Sequence, residues 1–252
     1  MNETQIPLPD IRAEARRVAS ALEQSQLPLR LIGGAAIWLR CPSADHELLR
    51  REYADLDFLG LSPQGPAISQ FLIGLGYEKD KFFNSLHGRT RMLFHDTVNG
   101  RQVDILLNEM VMCHKLDFRS RINIDPCTLP LADLLLTKLQ IVQTNPKDMT
   151  DLVTILSDHP IGDQDGESIN GSFIARLTST DWGLYRTIQL NLDHVQELAH
   201  QLPQLGQYPV EGQVKALWTI IEDEPKSLKW KVRARVGDRV QWYELPEEVR
   251  RS

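Results

Sequence analysis

Apolar residues recur along this chain with two periods, and the places where one gives way to the other mark out its elements. Behind Asp10, a residue type suited to cap a helix, IRAEARRVASALEQSQ spaces its apolar positions three and four apart and predicts an amphipathic helix ending near Pro28. LRLI then reads as a short strand that runs straight into Gly33-Gly34. AAIWLR returns at once to helical spacing, so strand, glycine turn and helix N-terminus follow without a break. A polar connection from Cys41 to Glu52 leads to ADLDFLG, a second strand, and a helix follows over roughly Pro66 to Gly74. In RTRMLFHDTVNGRQVDILL two strand-like runs flank Asn99-Gly100, a pair that tolerates positive φ and suits a tight antiparallel hairpin.

Helical spacing resumes from Pro130 to Thr144 and again from Pro146, with Asn145 as cap and proline at the first helical position, running to about Asp158. HPIGDQDGESINGS is dense in Gly, Asp and Ser and marks a candidate domain boundary. The pattern therefore predicts a first domain over residues 1–160, a linker over 161–172, and a mainly helical domain over 173–252. In that last part FIARLTST, Asp193 to Gln201 and GQVKALWTII have helical spacing, whereas LKWKVRARVGDRVQWYEL fits a strand or a helix. Strands mixed with helices ahead of a helical tail place the chain in the α/β class, of the α+β type.

Composition narrows the field only a little. With 42% apolar and 25% charged residues, the 252-residue chain has ordinary globular usage, which argues against disorder as its main state. MNETQIPLPD lacks the basic start and apolar run of a secretory signal, and no uncharged stretch is long enough to span a bilayer, so a soluble, cytoplasmic protein without a membrane partner is expected. Cys41, Cys113 and Cys127 match no zinc spacing and are expected as free thiols. His87, His95, Cys113 and His114 are too irregularly spaced for a transition-metal site. A net charge of −6 excludes a globally basic nucleic-acid binder while leaving room for a local basic patch.

The chemistry is carried by carboxylates. Successive strand residues point to opposite faces, so Asp55 and Asp57 emerge together while Leu56 and Phe58 face a core. Their α-carbons, two residues apart, should lie roughly 6.6 Å from each other, close enough to share a cation. Like charges at that range favour a hard divalent metal with oxygen ligands, magnesium or manganese. Asp104 repeats the arrangement on the second hairpin arm, opposite Val103, Ile105 and Leu107. Three such acids suit phosphoryl transfer, although D-x-D is also what a solvated strand face looks like.

Gly33-Gly34 between strand and helix would let backbone amides approach phosphate oxygens, and it also reads simply as a packing turn. Neither GxxxxGK[ST] nor GxGxxG is present, which excludes the P-loop and the dinucleotide fingerprint. Lys138 falls within the apolar arc formed by Leu131, Leu134, Leu135, Leu139, Ile141 and Val142. It therefore needs an anion there, a phosphate or a carboxylate, unless it snorkels to water. Asp148 sits at the third helical position, where capping competes with contact to a nucleotide, and it shares a face with Asp151.

In order, GGAAIWL, ADLDFLG, QVDILL and LLLTKLQIVQTNPKDMTDL resemble the motifs of the DNA polymerase β-type nucleotidyltransferase superfamily. The nearest branch is that of the abortive-infection toxin nucleotidyltransferases. The resemblance covers roughly residues 28–158. It implies a mixed β-sheet nucleotidyltransferase core flanked by helices, which moves a nucleoside monophosphate from an NTP with Mg²⁺ or Mn²⁺. Asp55, Asp57 and Asp104 would be catalytic and metal-binding, and Gly33, Gly34, Lys138 and Asp148 nucleotide-binding. Lys147 and Asp148 match the branch's Lys-Asp motif. The chain departs from the pattern in having Gly-Gly where Gly-Ser is usual, and in a long connection to Asp55 that carries Arg50 and Arg51.

The implied acceptors are an RNA or tRNA end, a protein or a small molecule such as an aminoglycoside, and a toxin role would bring an antitoxin partner. The alternative is a nucleotide-binding module of the same fold without turnover. Lys226, Lys229, Lys231, Arg233, Arg235 and Arg239, interleaved with Trp230 and followed by Trp242 and Tyr243, read either as an RNA-contacting surface or as a solvated basic face over a tryptophan-anchored core.

Overall fold

A computed structural model of the chain describes residues 5–201 and 203–245. It divides into two compact units, Met1–Met110 with Asp117–Pro130, and Val111–Leu116 with Leu131–Ser252. The boundary expected over 161–172 is thus displaced to Pro130/Leu131. Two short parallel strands, Ile161–Gly162 and Ile169–Asn170, occupy the expected linker, which lies inside the second unit. Its Gly, Asp and Ser content serves local turns there. Asn170, for instance, accepts from the Phe173 amide at 2.9 Å and caps the next helix.

The first unit is α/β. Its elements are α1 (Ile11–Ser25), β1 (Leu29–Ile32), α2 (Gly33–Arg40), β2 (Leu56–Gly60), α3 (Gly65–Gly74), β3 (Glu78–Lys79), α4 (Lys81–His87), β4 (Arg91–Asp96) and β5 (Arg101–Leu107). The strands form one mixed sheet in the order β1-β2-β5-β4-β3, in which β2 and β5 are parallel and every other pair antiparallel. Period-two patterning does the sorting: Leu29, Leu31, Phe58, Phe94, Val103, Ile105 and Leu107 are all buried, each worth roughly 1.5–3 kcal/mol relative to exposure. The outer edge of β1 is covered by the returning segment, where Leu31 N donates to Cys127 O at 2.8 Å and Leu129 N to Leu31 O at 3.2 Å.

Two differences from the sequence pattern have local causes. No element is expected between Gly76 and Thr90, yet α4 forms there, capped by Asp80, which accepts from Phe83 N at 2.8 Å. Its Phe82 and Leu86 are exposed, so it lacks the apolar period that reveals a helix. The hairpin is also looser than a two-residue turn. Asp96 pairs with Arg101, leaving Thr97–Gly100 as the loop, and of the central pair only Gly100 takes positive φ, at 70°. The Asp96 carboxylate organises this loop by accepting from Asn99 and Arg101.

The second unit is mainly helical: α5 (Leu131–Leu139), α6 (Pro146–Asp158), α7 (Gly171–Thr180), α8 (Trp182–Gln201), α9 (Val210–Asp223) and α10 (Leu228–Val236). α5 stops short of the expected Thr144, and the Asn191 side chain takes up the carbonyls of Leu139 and Ile141, at 2.8 Å each. α8 begins well before Asp193, its buried Leu184, Ile188, Leu192, Val195 and Ala199 recurring at helical spacing. The ambiguous tract resolves as helix over Leu228–Val236.

Candidate active site

Two of the three acids stand side by side. Parallel pairing of β2 with β5 puts Asp57 in register with Asp104, on strands that should be about 4.8 Å apart. Leu56, Phe58, Val103 and Ile105 are buried while both aspartates are half-buried, so the two carboxylates occupy the face away from the core. Asp55 lies one residue ahead of β2, and its Oδ1 accepts from the Gln102 amide at 3.4 Å, a long hydrogen bond that draws it toward the start of β5.

The glycine turn abuts this pair. Antiparallel register sets Ile32 opposite Asp57, and Gly33 follows with φ of 67°, a left-handed conformation that favours glycine. A Cβ on Gly33 would lie 2.7 Å from Asp57 Oδ2. One on Gly34 would lie 1.8 Å from Arg51 Nη2 and 3.0 Å from the Tyr53 ring. Close approach therefore requires both glycines, a carboxylate lying against the first and a guanidinium against the second.

Arg91 belongs to this constellation, although the sequence pattern did not single it out. From β4 its Nε donates to Asp104 Oδ1 at 2.8 Å and to Oδ2 at 3.0 Å, and its Nη2 donates to Oδ2 as well. Hydrogen bonding to Asp104 raises the Arg91 pKa against the opposing effect of burial, and the charges of Asp104 and Asp57 add to the rise. Phe83 lies 5.8 Å from the guanidinium. The signal that could have found Arg91 is register: the four-residue loop sets Leu93 opposite Asp104, so Arg91 is its diagonal neighbour.

Lys138, Asp148 and Lys147 belong to the second unit. Lys138 Nζ pairs with Asp148 Oδ1 at 2.8 Å and Asp151 Oδ2 at 3.0 Å, so the anion its apolar position demands comes from α6. Burial would depress its pKa, but Asp151 and Asp148 outweigh that and hold it above the usual lysine value. Asp148 also completes a capping box with Asn145, the expected rival to a nucleotide contact, while Lys147 is exposed.

Among the described residues, no three His, Cys, Asp or Glu side chains are gathered so as to hold a metal ion by themselves. The donors nevertheless fit magnesium. That ion takes hard oxygen ligands and is usually held through one or two carboxylates plus substrate phosphates rather than by an all-protein cage. A Cβ at Gly33 would meet Asp57 Oδ2 at 2.7 Å, so only glycine leaves this carboxylate in place.

The basic tract divides. Lys226 Nζ caps the carbonyl end of α9, donating to Glu224 O at 3.0 Å, and Arg233 donates to Gly237 O at 2.8 Å while stacking 4.4 Å from Trp182. Trp230 packs edge-on to Tyr185, and Trp242 to Trp182. These aromatics anchor the unit, leaving Lys229, Lys231, Arg235 and Arg239 as an exposed basic face. Among the described residues, no helix is long and apolar enough to cross a membrane.

No family model matches the chain, and no curated protein matches it. Among solved structures it is similar to an antigenic nucleotidyltransferase-like protein from Paracoccidioides brasiliensis, with 12% identity, coverage of 88% of this chain and 96% of that one, and a TM-score of 0.39. A likeness at that score carries no weight for fold or function.

Proposed function

We propose that the chain is a Mg²⁺-dependent nucleotidyltransferase that moves a nucleoside monophosphate from an NTP to a hydroxyl acceptor. The observation that supports this reading best is the in-register pair Asp57 and Asp104, turned away from the core, with the Gly33 backbone against Asp57. Asp55 and Asp57 would hold the cation, which when bound neutralises the triphosphate and orients the leaving pyrophosphate. Gly33 and Gly34 keep side chains clear of the phosphates. Asp104 takes part as the third acid, accepting the proton of the attacking hydroxyl as the new bond to the α-phosphorus forms; the bond to the bridging oxygen breaks and pyrophosphate leaves with its electron pair. Manganese would satisfy the same oxygen donors.

Incubation with α-labelled NTPs, Mg²⁺, total RNA, total protein and a small-molecule extract tests the reaction and reports the acceptor class, whether an RNA or tRNA end, a protein or a small molecule. Wild-type chain transfers label, and Asp57→Asn loses on the order of 10³-fold in rate, about 4 kcal/mol of transition-state stabilisation. Undiminished transfer by Asp57→Asn overturns the proposal. A toxin role predicts growth arrest on expression that Asp57→Asn relieves, and an antitoxin partner would relieve it in trans.

The Arg91 clasp on Asp104 favours a second reading, a nucleotide-binding module without turnover, because it occupies both oxygens of the third acid. NTP binding with no label transfer in either wild type or Arg91→Ala would decide for the module.

A further inference from the structure

Helix α10 is apolar on two opposite faces, and the packing of its unit accounts for one of them. Trp230, Arg233 and Ala234 make the half-buried face, with Trp230 edge-on to Tyr185 at 5.0 Å and the Arg233 guanidinium 4.4 Å from Trp182. The other face carries Leu228, Val232 and Val236, which are 79%, 56% and 39% exposed. Spaced four residues apart, they form a single row about 80° wide at about 100° per residue. On the same projection Lys231 and Arg235 border the row on one side and Lys229 on the other, and all three are exposed. Single exposed aliphatics need no explanation; a row of them, on a helix that already buries its opposite face, does.

The row is also held ready. Ser227 caps α10 by accepting from Trp230 N at 3.2 Å, and its own amide donates to Ser179 O at 2.9 Å. Valine in a helix keeps essentially one rotamer, so little side-chain freedom is left to lose on binding. The candidate occupants make different demands. A second α10 laid against the first would set cations against cations. RNA asks for aromatics on which bases stack, yet the outward centre of this face is aliphatic and Trp230 is turned to Tyr185. A bilayer surface favours a large apolar face with bulky side chains, whereas this one has two valines and a leucine on a nine-residue helix. An apolar row edged by carboxylates matches both the aliphatics and the cations. We propose that the outer face of α10 docks an acidic amphipathic helix of a protein partner. Apolar residues of that helix meet Leu228, Val232 and Val236, and its Asp or Glu residues meet Lys229, Lys231 and Arg235. The proposal does not rest on nucleotidyl transfer.

A synthetic helical peptide with a row of leucines edged by glutamates tests this against the full chain by fluorescence anisotropy. Its lysine-edged counterpart, a scrambled peptide of the same composition, single-stranded RNA and phosphatidylserine vesicles are measured beside it. The acidic peptide binds, and the scrambled and lysine-edged peptides bind on the order of tenfold more weakly or worse. Leu228→Ser with Val232→Ser removes the row without changing charge and lowers affinity by on the order of tenfold or more. Lys231→Glu with Arg235→Glu does the same and reverses the preference toward the lysine-edged peptide. Melting temperature stays close to the wild-type value in both variants, because the positions are exposed. An acidic peptide that does not bind, or that binds the serine variant as tightly as wild type, sinks the proposal. Tighter binding of the RNA or of the vesicles than of the peptide overturns it in favour of that ligand. Self-association of the chain that the serine variant abolishes, without peptide binding, assigns the face to a second copy instead.

Discussion

At the scale of single residues, Gly33 combines two demands. Its φ of 67° costs a non-glycine residue about 1–2 kcal/mol, and a Cβ would sit 2.7 Å from Asp57 Oδ2. Gly33→Ala is therefore expected to lower stability by about 1–2 kcal/mol or more in a denaturant titration and to depress NTP binding, because either Asp57 or the turn must move. Arg91→Ala is expected to change kcat more than KM, since Arg91 orients Asp104 rather than touching substrate; label-transfer kinetics separate the two. How far such residues could be read beforehand follows from the same cases. The outward alternation of Asp57 and Asp104 was plain in the strand pattern, because period two is a local property. The partnership of Arg91 was not, because it depends on loop length. A two-residue turn at Asn99-Gly100 would have set His95 opposite Asp104, and the four-residue loop shifts that partner to Leu93.

Among the elements, buried acid–base contacts tie the first unit together. Glu14 on α1 is fully buried and accepts from Arg17, from the Leu8 amide and from the Tyr77 hydroxyl. Burial would raise its pKa, but those hydrogen bonds outweigh it and hold Glu14 below its ordinary 4.5. Asp96 is buried in the same way, and Asn99 and Arg101 hold it below 3.8. Each acid therefore adds stability that is complete above its ordinary pKa and is lost as pH falls through the lower folded value. Stability measured by denaturant should fall steeply below about pH 4, and the slope should flatten in Glu14→Gln with Asp96→Asn. Lys138 works in the opposite direction: its raised pKa adds stability that is whole below 10.5 and disappears as pH climbs through the folded value. Lys138→Ala leaves Asp148 and Asp151 facing a lost charge in a buried setting and is expected to cost about 3–5 kcal/mol, read as a drop in melting temperature. The sequence showed that Lys138 needed either an anion or a route to water. It did not show which one, because the choice between a ligand and α6 lies in helix packing.

At the scale of the molecule, the glycine- and aspartate-rich stretch near residue 165 was expected to be a domain boundary and lies inside the second unit. Low apolar content marks any exposed loop, whether or not a domain ends there. α5 and α6 pack with α7, α8 and α9, so a fragment ending at residue 160 keeps two helices without their partners. Such a fragment is expected to expose Leu134, Leu135, Leu152 and Ile155, to bind a hydrophobic dye and to be cut readily after Pro130 by protease, whereas the full chain resists. The α/β class was legible from strands that alternate and helices that do not, while the mixed sheet was expected only from the family resemblance. The strand order was not legible, since nothing local tells β2 to pair with β5 across four intervening elements.

That order bears on how the protein is made. The outer edge of β1 receives its hydrogen bonds from residues Cys127 and Leu129, which leave the ribosome almost a hundred residues after it. Until then LRLI is an apolar strand with an open row of amides and carbonyls, the form in which strands recruit one another between chains. The opposite edge is only Glu78–Lys79, short and charged, and needs no such protection. Aggregation during synthesis should accordingly depend on how promptly the 117–130 segment arrives, so that slow codons between Asp117 and Leu129 would harm yield more than slow codons after Pro130.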